Sequence, residues 1–161
     1  MVCGFCVAGR ALMRMPRIRS SLGAECGVHP HRDVDSGRGQ DIRKRTFALA
    51  CAVGRAAMGI PWQSRGAPLA SQLLRASAAI GANLEEAKAA SSRREFVRMC
   101  DIALRETRET VYWLRLCIAL DLLPPSAVDL QEEGAEIANI LATIILRTKK
   151  RMALESRAPS R

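Results

Sequence analysis

The polar side chains with the most chemical reach fall into three groups. Gln72, Arg75, Asn83, Glu86, Glu106 and Glu109 occupy the middle of the chain. Arg93, Arg94 and Arg98 follow one another closely, and Arg147, Lys149, Lys150 and Arg151 cluster near the end. Paired carboxylates on helices can hold iron, but that chemistry needs Glu-x-x-His on two helices, and no His follows His31. A Ser-His-Asp or Cys-His nucleophile fails for the same reason, because His29 and His31 both lie in an N-terminal segment without periodicity. Cys3 and Cys6 form CGFC, yet a thioredoxin-like pair needs a βαβ context that does not follow. Cys26, His29 and His31 have no spacing common to zinc fingers. Cys51, Cys100 and Cys117 fall on apolar stretches, where a thiol is a small hydrophobe, in keeping with a reducing cytoplasm. GRGQ at 37–40 lacks the P-loop Lys and a preceding strand. The expectation is a non-enzyme with no catalytic, metal or cofactor site.

Hydrogen bonding and charge remain. Gln72, Arg75, Asn83, Glu86, Glu106 and Glu109 suit a polar lattice that sets helix register or a subunit interface. The alternative is contact with nucleic acid or a protein partner. Arg93, Arg94 and Arg98 read either as a solvated face or as a phosphate-contact patch. Arg147, Lys149, Lys150 and Arg151 suit the negative end of a helix and also make a basic tail with Arg157 and Arg161. Trp62 and Trp113 are too few for a base-stacking platform.

These residues need rods to hold them. A chain of 161 residues implies one domain. Apolar residues make up 48% and aromatics only 4%, which favours helices over a β-sandwich. No apolar run approaches the 18 residues or so of a membrane span. The net charge is +9, of which +5 lies in residues 1–45, −1 in 46–146 and +5 in 147–161. Loose basic ends attract phosphate without sequence preference.

Apolar spacing of three and four predicts four helices. The first spans 41–58, with Ile42, Thr46, Leu49, Val53, Ala56 and Ile60 inward, and stops at Gly59-Ile60-Pro61. The second spans 69–90, with Leu69, Leu73, Ala76, Ile80, Leu84 and Ala87 inward and Gly81 as its weak point. Ser92 and Glu95 form a capping box that opens the third, which runs to about 120. Its inner row is Phe96, Cys100, Ala103, Thr107, Thr110, Leu114 and Cys117. A second row of Val97, Leu104, Val111 and Ile118 implies partners on more than one side, ordinary within one bundle, and also leaves apolar surface for another subunit. Leu122-Leu123-Pro124-Pro125 ends it. Ser126 caps the fourth, which has Leu130, Ile137, Leu141, Ile144 and Thr148 inward, with Ile140 and Ile145 beside that face, and fades at 152–155. Short connections make this an all-α, up-down-up-down antiparallel four-helix bundle. The expected layout is a poorly ordered basic extension over 1–40, the bundle over 41–155 and a basic tail over 156–161. An early mis-called start, with initiation at Met13, Met15 or later, is one reading of the extension.

SQLLRASAAIGANLEEA at 71–87 resembles the signature of the four-helix bundle proteins encoded in bacterial 23S ribosomal RNA intervening sequences. That family is related to the accessory variability determinant of diversity-generating retroelements. Ser71, Gln72, Leu73, Arg75, Ala76, Ile80, Asn83 and Glu86 match its pattern. So do Ser92, Glu95 and Phe96, then Ile102-Ala103, Glu109 and Tyr112-Trp113-Leu114, with Pro61 closing the first helix. Ala79, Leu84, Glu85, Ala87 and Glu106 depart from it. The resemblance implies a cytoplasmic homo-oligomer, expected to be a barrel-like pentamer. For the retroelement relatives it also implies binding to RNA or DNA and to a reverse transcriptase. A structural or scaffolding oligomer is the rival reading.

Overall fold

The computed structural model describes residues 39–156, with side chains from Ile42 onward. The N-terminal extension, with Cys3, Cys6, Cys26, His29 and His31, lies outside the described residues, as do Arg157 and Arg161. Four helices follow in order: α1 (Gly39–Met58), α2 (Ala67–Ala89), α3 (Arg93–Ala119) and α4 (Val128–Glu155), the last preceded by a 3₁₀ turn at Pro125–Ala127. No strand occurs among the described residues. Successive helices pair antiparallel. Arg43 near the start of α1 reaches Glu85 late in α2, Arg75 of α2 reaches Glu109 of α3, and Arg93 at the start of α3 reaches Glu155 at the end of α4. Contact is most extensive between α2 and α3 and thinnest between α1 and α4.

The core forms largely where apolar spacing predicts it, except that Ala56 and Leu69 are half-buried and Ala57 is buried instead. Ile42, Leu49, Val53 and Ile60 are buried, as are Leu73, Ala76, Ile80, Leu84 and Ala87 of α2. In α3 the inner row is buried from Cys100 to Cys117, and only Phe96 is half-buried. Four core positions carry hydroxyls. Thr46, Ser77, Thr107 and Thr110 are completely buried, and each donates to a backbone carbonyl of its own helix at 2.7–3.0 Å. The bond satisfies the hydroxyl without a partner across the core. Burial pushes the Cys100 thiol up to about 11, with neighbouring Asp101 adding to the effect. Cys117 is likewise pushed up by burial. Such thiols hold their protons and are poor nucleophiles.

The second row of α3 is not free for another subunit. Val97 and Leu104 are buried, and Ile118 packs on the core. Val111 faces Gly134 of α4, where a β-carbon would stand 2.8 Å from its Cγ2. The inner face of α4 is rotated from the expected one. Leu130, Gly134, Ile137, Leu141 and Ile145 are buried, whereas Ile144 and Thr148 are half-buried. Gly134 belongs to the seam because its missing side chain admits α3, and a pattern of large apolar residues passes over it.

The helix ends also differ in detail. Ser92 accepts from the Glu95 amide at 3.2 Å, as expected of a capping box. The Glu95 carboxylate, however, reaches back to the amide and hydroxyl of Ser91, at 3.0 and 2.8 Å, rather than to Ser92. The Ser91 bonds, the hydroxyl foremost, hold this carboxyl below the usual carboxylate range. Ser126 does not cap α4. It sits inside the 3₁₀ turn, and the capping position falls on Ala127. The third helix stops before the two prolines because Asp121 takes a left-handed conformation, φ 55°. Leu122 and Asp121 then donate to the carbonyls of Cys117 and Ile118 at 2.9 and 3.0 Å, a Schellman closure.

Arg45 secures α1 to α4. Its Nε and Nη2 meet the two Glu133 oxygens at 2.7 and 2.9 Å, and Nη2 also meets Glu136 at 2.8 Å. The bond to Glu133 raises the guanidinium pKa against the opposing effect of burial. A planar fork on a carboxylate is the stronger kind of ion pair.

Two glycines give opposite expectations. A β-carbon at Gly81 has only Thr46 Oγ1 nearby, at 4.0 Å, so Gly81→Ala stabilises the fold by about 0.5–1 kcal/mol. Gly134→Ala drives a methyl into stiff Val111 and costs about 1–3 kcal/mol. Chemical denaturation of both variants checks the signs. Arg45→Ala costs about 1–2 kcal/mol, and a double-mutant cycle with Glu133→Ala assigns the coupling.

Candidate functional site

Two polar constructions emerge, one on the side of the bundle and one at its end. The lateral one joins α2 to α3. Arg75 Nε donates to Gln72 at 3.2 Å, its Nη2 bonds Glu109, and its Nη1 lies 3.5 Å from Glu106 Oε2. Glu109 also accepts the Trp113 indole N–H at 3.0 Å. Glu106 Oε2 is buried and makes no hydrogen bond of its own, so the Arg75 charge supplies its compensation. The Trp113 N–H first, and then the Arg75 guanidinium, hold the Glu109 carboxyl below the usual carboxylate range. Of the six residues read as a lattice, the structure therefore joins Gln72, Arg75, Glu106 and Glu109. Asn83 instead donates to the Ala79 carbonyl of its own helix at 2.7 Å, and Glu86 is exposed. Asn83 stands about 12 Å further along α2 than Arg75, beyond side-chain reach. This arrangement ties α2 to α3 by ion pairs. It leaves no acid and base facing an open pocket.

The terminal construction brings together two groups that are far apart in sequence. The Arg93–Glu155 and Lys149–Asp101 pairs hold the start of α3 beside the end of α4, so the basic groups at 93–98 and 147–151 lie toward the same end of the bundle. Arg93 bonds Glu155, which Arg151 also reaches at 3.2 Å, and Lys149 meets Asp101 at 3.2 Å. Arg93 first, then Arg151, lowers the Glu155 pKa. Arg94, Arg98, Arg147 and Lys150 are exposed and form no ion pair or hydrogen bond among the described residues. An open depression lined by Arg94, Val97, Arg98, Asp101, Ile102 and Arg105 borders this end.

Three more arginines escape a reading by residue clusters. Arg105, Arg108 and Arg115 are exposed along α3. The signal lies in the tandem Arg-Glu-Thr at 105–110. In both copies Thr enters the core, Glu faces Arg75, and Arg points to solvent. Among the described residues no cluster of His, Cys, Asp and Glu suits a metal ion. No described helix is long and apolar enough to cross a membrane.

A four-helix bundle with this α2–α3 polar seam has known relatives. Residues 38–143 match the 23S rRNA-intervening sequence protein family, and the chain belongs to it. A crystal structure of a protein of unknown function from the S23 ribosomal protein family of Bacteroides thetaiotaomicron is similar, with 28% identity and a TM-score of 0.61. The match covers 65% of this chain and 97% of that one. No curated protein matches.

The lowered Glu109 pKa has a definite sign. An unfolded chain takes up this proton at higher pH than the folded one does, so acid favours unfolding. Stability is expected to fall as pH drops below about 4.5 toward the lowered folded value. Glu109→Gln removes part of that slope. Urea titrations from pH 6 to pH 3 on both proteins measure it, and parallel curves would exclude the contribution.

Proposed function

We propose that the protein is a non-enzymatic, cytoplasmic homo-oligomer that holds nucleic acid, or a nucleoprotein containing it, through its basic bundle end. The observation that carries this reading is that Arg94 and Arg98 at the start of α3, and Arg147 and Lys150 in the last turns of α4, are exposed and form no ion pair or hydrogen bond among the described residues, Arg98 acting on Glu95 only through space. Lysine and arginine held on rigid helices neutralise phosphates and release counterions. Family membership supports a setting near ribosomal RNA. Exposed Phe47, Leu74, Leu146 and Leu154 support contact with further subunits, and the pentamer is the expected state. Repetition of the basic end around a ring would add weak contacts together.

The purified chain is expected to retain RNA or DNA at low salt and to release it steeply as salt rises. Substituting Arg94, Arg98, Arg147 and Lys150 by Gln should flatten the log–log salt slope by about 3, at roughly 0.7–0.9 per phosphate contact. A chain with no affinity for nucleic acid at low salt would refute the reading and favour a scaffold that binds protein alone. Light scattering supplies the subunit number.

A further inference from the structure

The cations of the bundle divide into two populations. Arg43, Arg45, Arg75, Arg93, Lys149 and Arg151 are all engaged by carboxylates. On α3, Arg94, Arg98, Arg105, Arg108 and Arg115 are exposed, and none forms an ion pair or hydrogen bond among the described residues. At 3.6 residues per turn these five share an arc of about 100° and span about 32 Å of helix. Asp101 lies on the same arc, but Lys149 occupies it. Arg94 and Arg98 stand four residues apart, and Arg105 and Arg108 three apart, spacings at which like charges destabilise a helix. The stripe therefore costs the isolated chain repulsion without gaining an ion pair or hydrogen bond among the described residues.

One aromatic ring interrupts the stripe. Tyr112 lies on the arc between Arg108 and Arg115 and is 56% exposed. Its ring meets that of Trp113 in an edge contact, with centroids 5.1 Å apart and planes at 68°. Trp113 is itself tied to Glu109, and Glu109 to Arg75 of α2. The ring is thus placed by a chain of contacts that ends on Arg75 of α2. A positioned aromatic ring flanked by unpaired arginines is the combination that receives a base and its neighbouring phosphates.

We infer that the outer face of α3 is a track for single-stranded nucleic acid, with one base stacked on Tyr112 and the backbone drawn along Arg94, Arg98, Arg105, Arg108 and Arg115. The inference rests on the nucleic-acid reading above and assigns it a second, lateral surface. A duplex fits this surface poorly. Its bases are already stacked on one another, so Tyr112 has nothing to receive. A helix can enter the major groove of DNA, but the corresponding groove of RNA is deep and narrow. Here α2 and α4 flank α3 and leave only its outer arc to offer. A flexible single strand can follow a straight rod.

The test uses the full chain and labelled oligouridylate or oligothymidylate of about 15 nucleotides, near the upper end of single-strand site sizes. Either single strand should bind more tightly than a hairpin duplex of equal length, and the two sugars separate RNA from DNA as the source. Tyr112→Ala should weaken single-strand binding about tenfold, and Tyr112→Phe should restore it, since the ring and not the hydroxyl carries the stacking. Replacing Arg105, Arg108 and Arg115 by Gln should reduce the salt slope by about 2, at roughly 0.7 per single-strand phosphate. Circular dichroism verifies folding, and the Tyr112 pair decides the matter alone if the triple variant loses helicity. Equal affinity for duplex and single strand, or indifference to Tyr112→Ala, overturns the track. Binding abolished by Arg147→Gln with Lys150→Gln but untouched by the α3 variants removes the track and leaves the basic-end reading standing. Binding to neither probe removes both.

Discussion

Thr107 and Thr110 can occupy the centre of this bundle because each hydroxyl donates to the carbonyl one turn back in its own helix. With Cys100, Ala103, Leu114 and Cys117 they form the buried line that sets the rotation of α3 about its axis. Everything else on that helix follows from the rotation. Glu106 and Glu109 are turned toward Arg75 of α2, Val111 toward Gly134 of α4, and Arg94, Arg98, Arg105, Arg108 and Arg115 to solvent. A helix rotated by one residue position, about 100°, would carry arginine into the α2 seam and glutamate into the core.

The four helices and most of the core were legible in the amino-acid order, because steps of three and four leave one continuous apolar line per helix. Ser92 and Glu95 located the start of α3 for a local reason: two side chains satisfy amides that the helix itself cannot. The misplacements share a different cause. The face of α4 is set by Gly134, whose importance is the absence of a side chain. The end of α3 is set by a left-handed Asp121, a backbone state that side-chain pattern does not announce. The first is decided by a contact between helices and the second by backbone closure, and neither shows in the spacing of apolar side chains.

The candidate site was legible only in part. Gln72, Arg75, Glu106 and Glu109 were recognisable as a set because their spacing places them on facing helices. Asn83 and Glu86 share that face of α2 but not its height, and height depends on which residues of α3 come alongside. The basic groups at 93–98 and 147–151 were visible as clusters, yet their union depends on antiparallel pairing. Which of them are already neutralised depends on Glu155 and Asp101, whose partners only the packed structure defines.

The thin contact of α1 with α4 has a dynamic consequence. Helices α2, α3 and α4 form two successive antiparallel pairs with broad seams. Beyond its own pairing with α2, α1 closes the circle through a narrow seam and the Arg45 fork. Elements with the least buried contact open first and at the lowest free energy. Amide protons of α1 should therefore trade with solvent deuterium sooner than those of α3, so that the molecule breathes at one edge while its central rod stays shut.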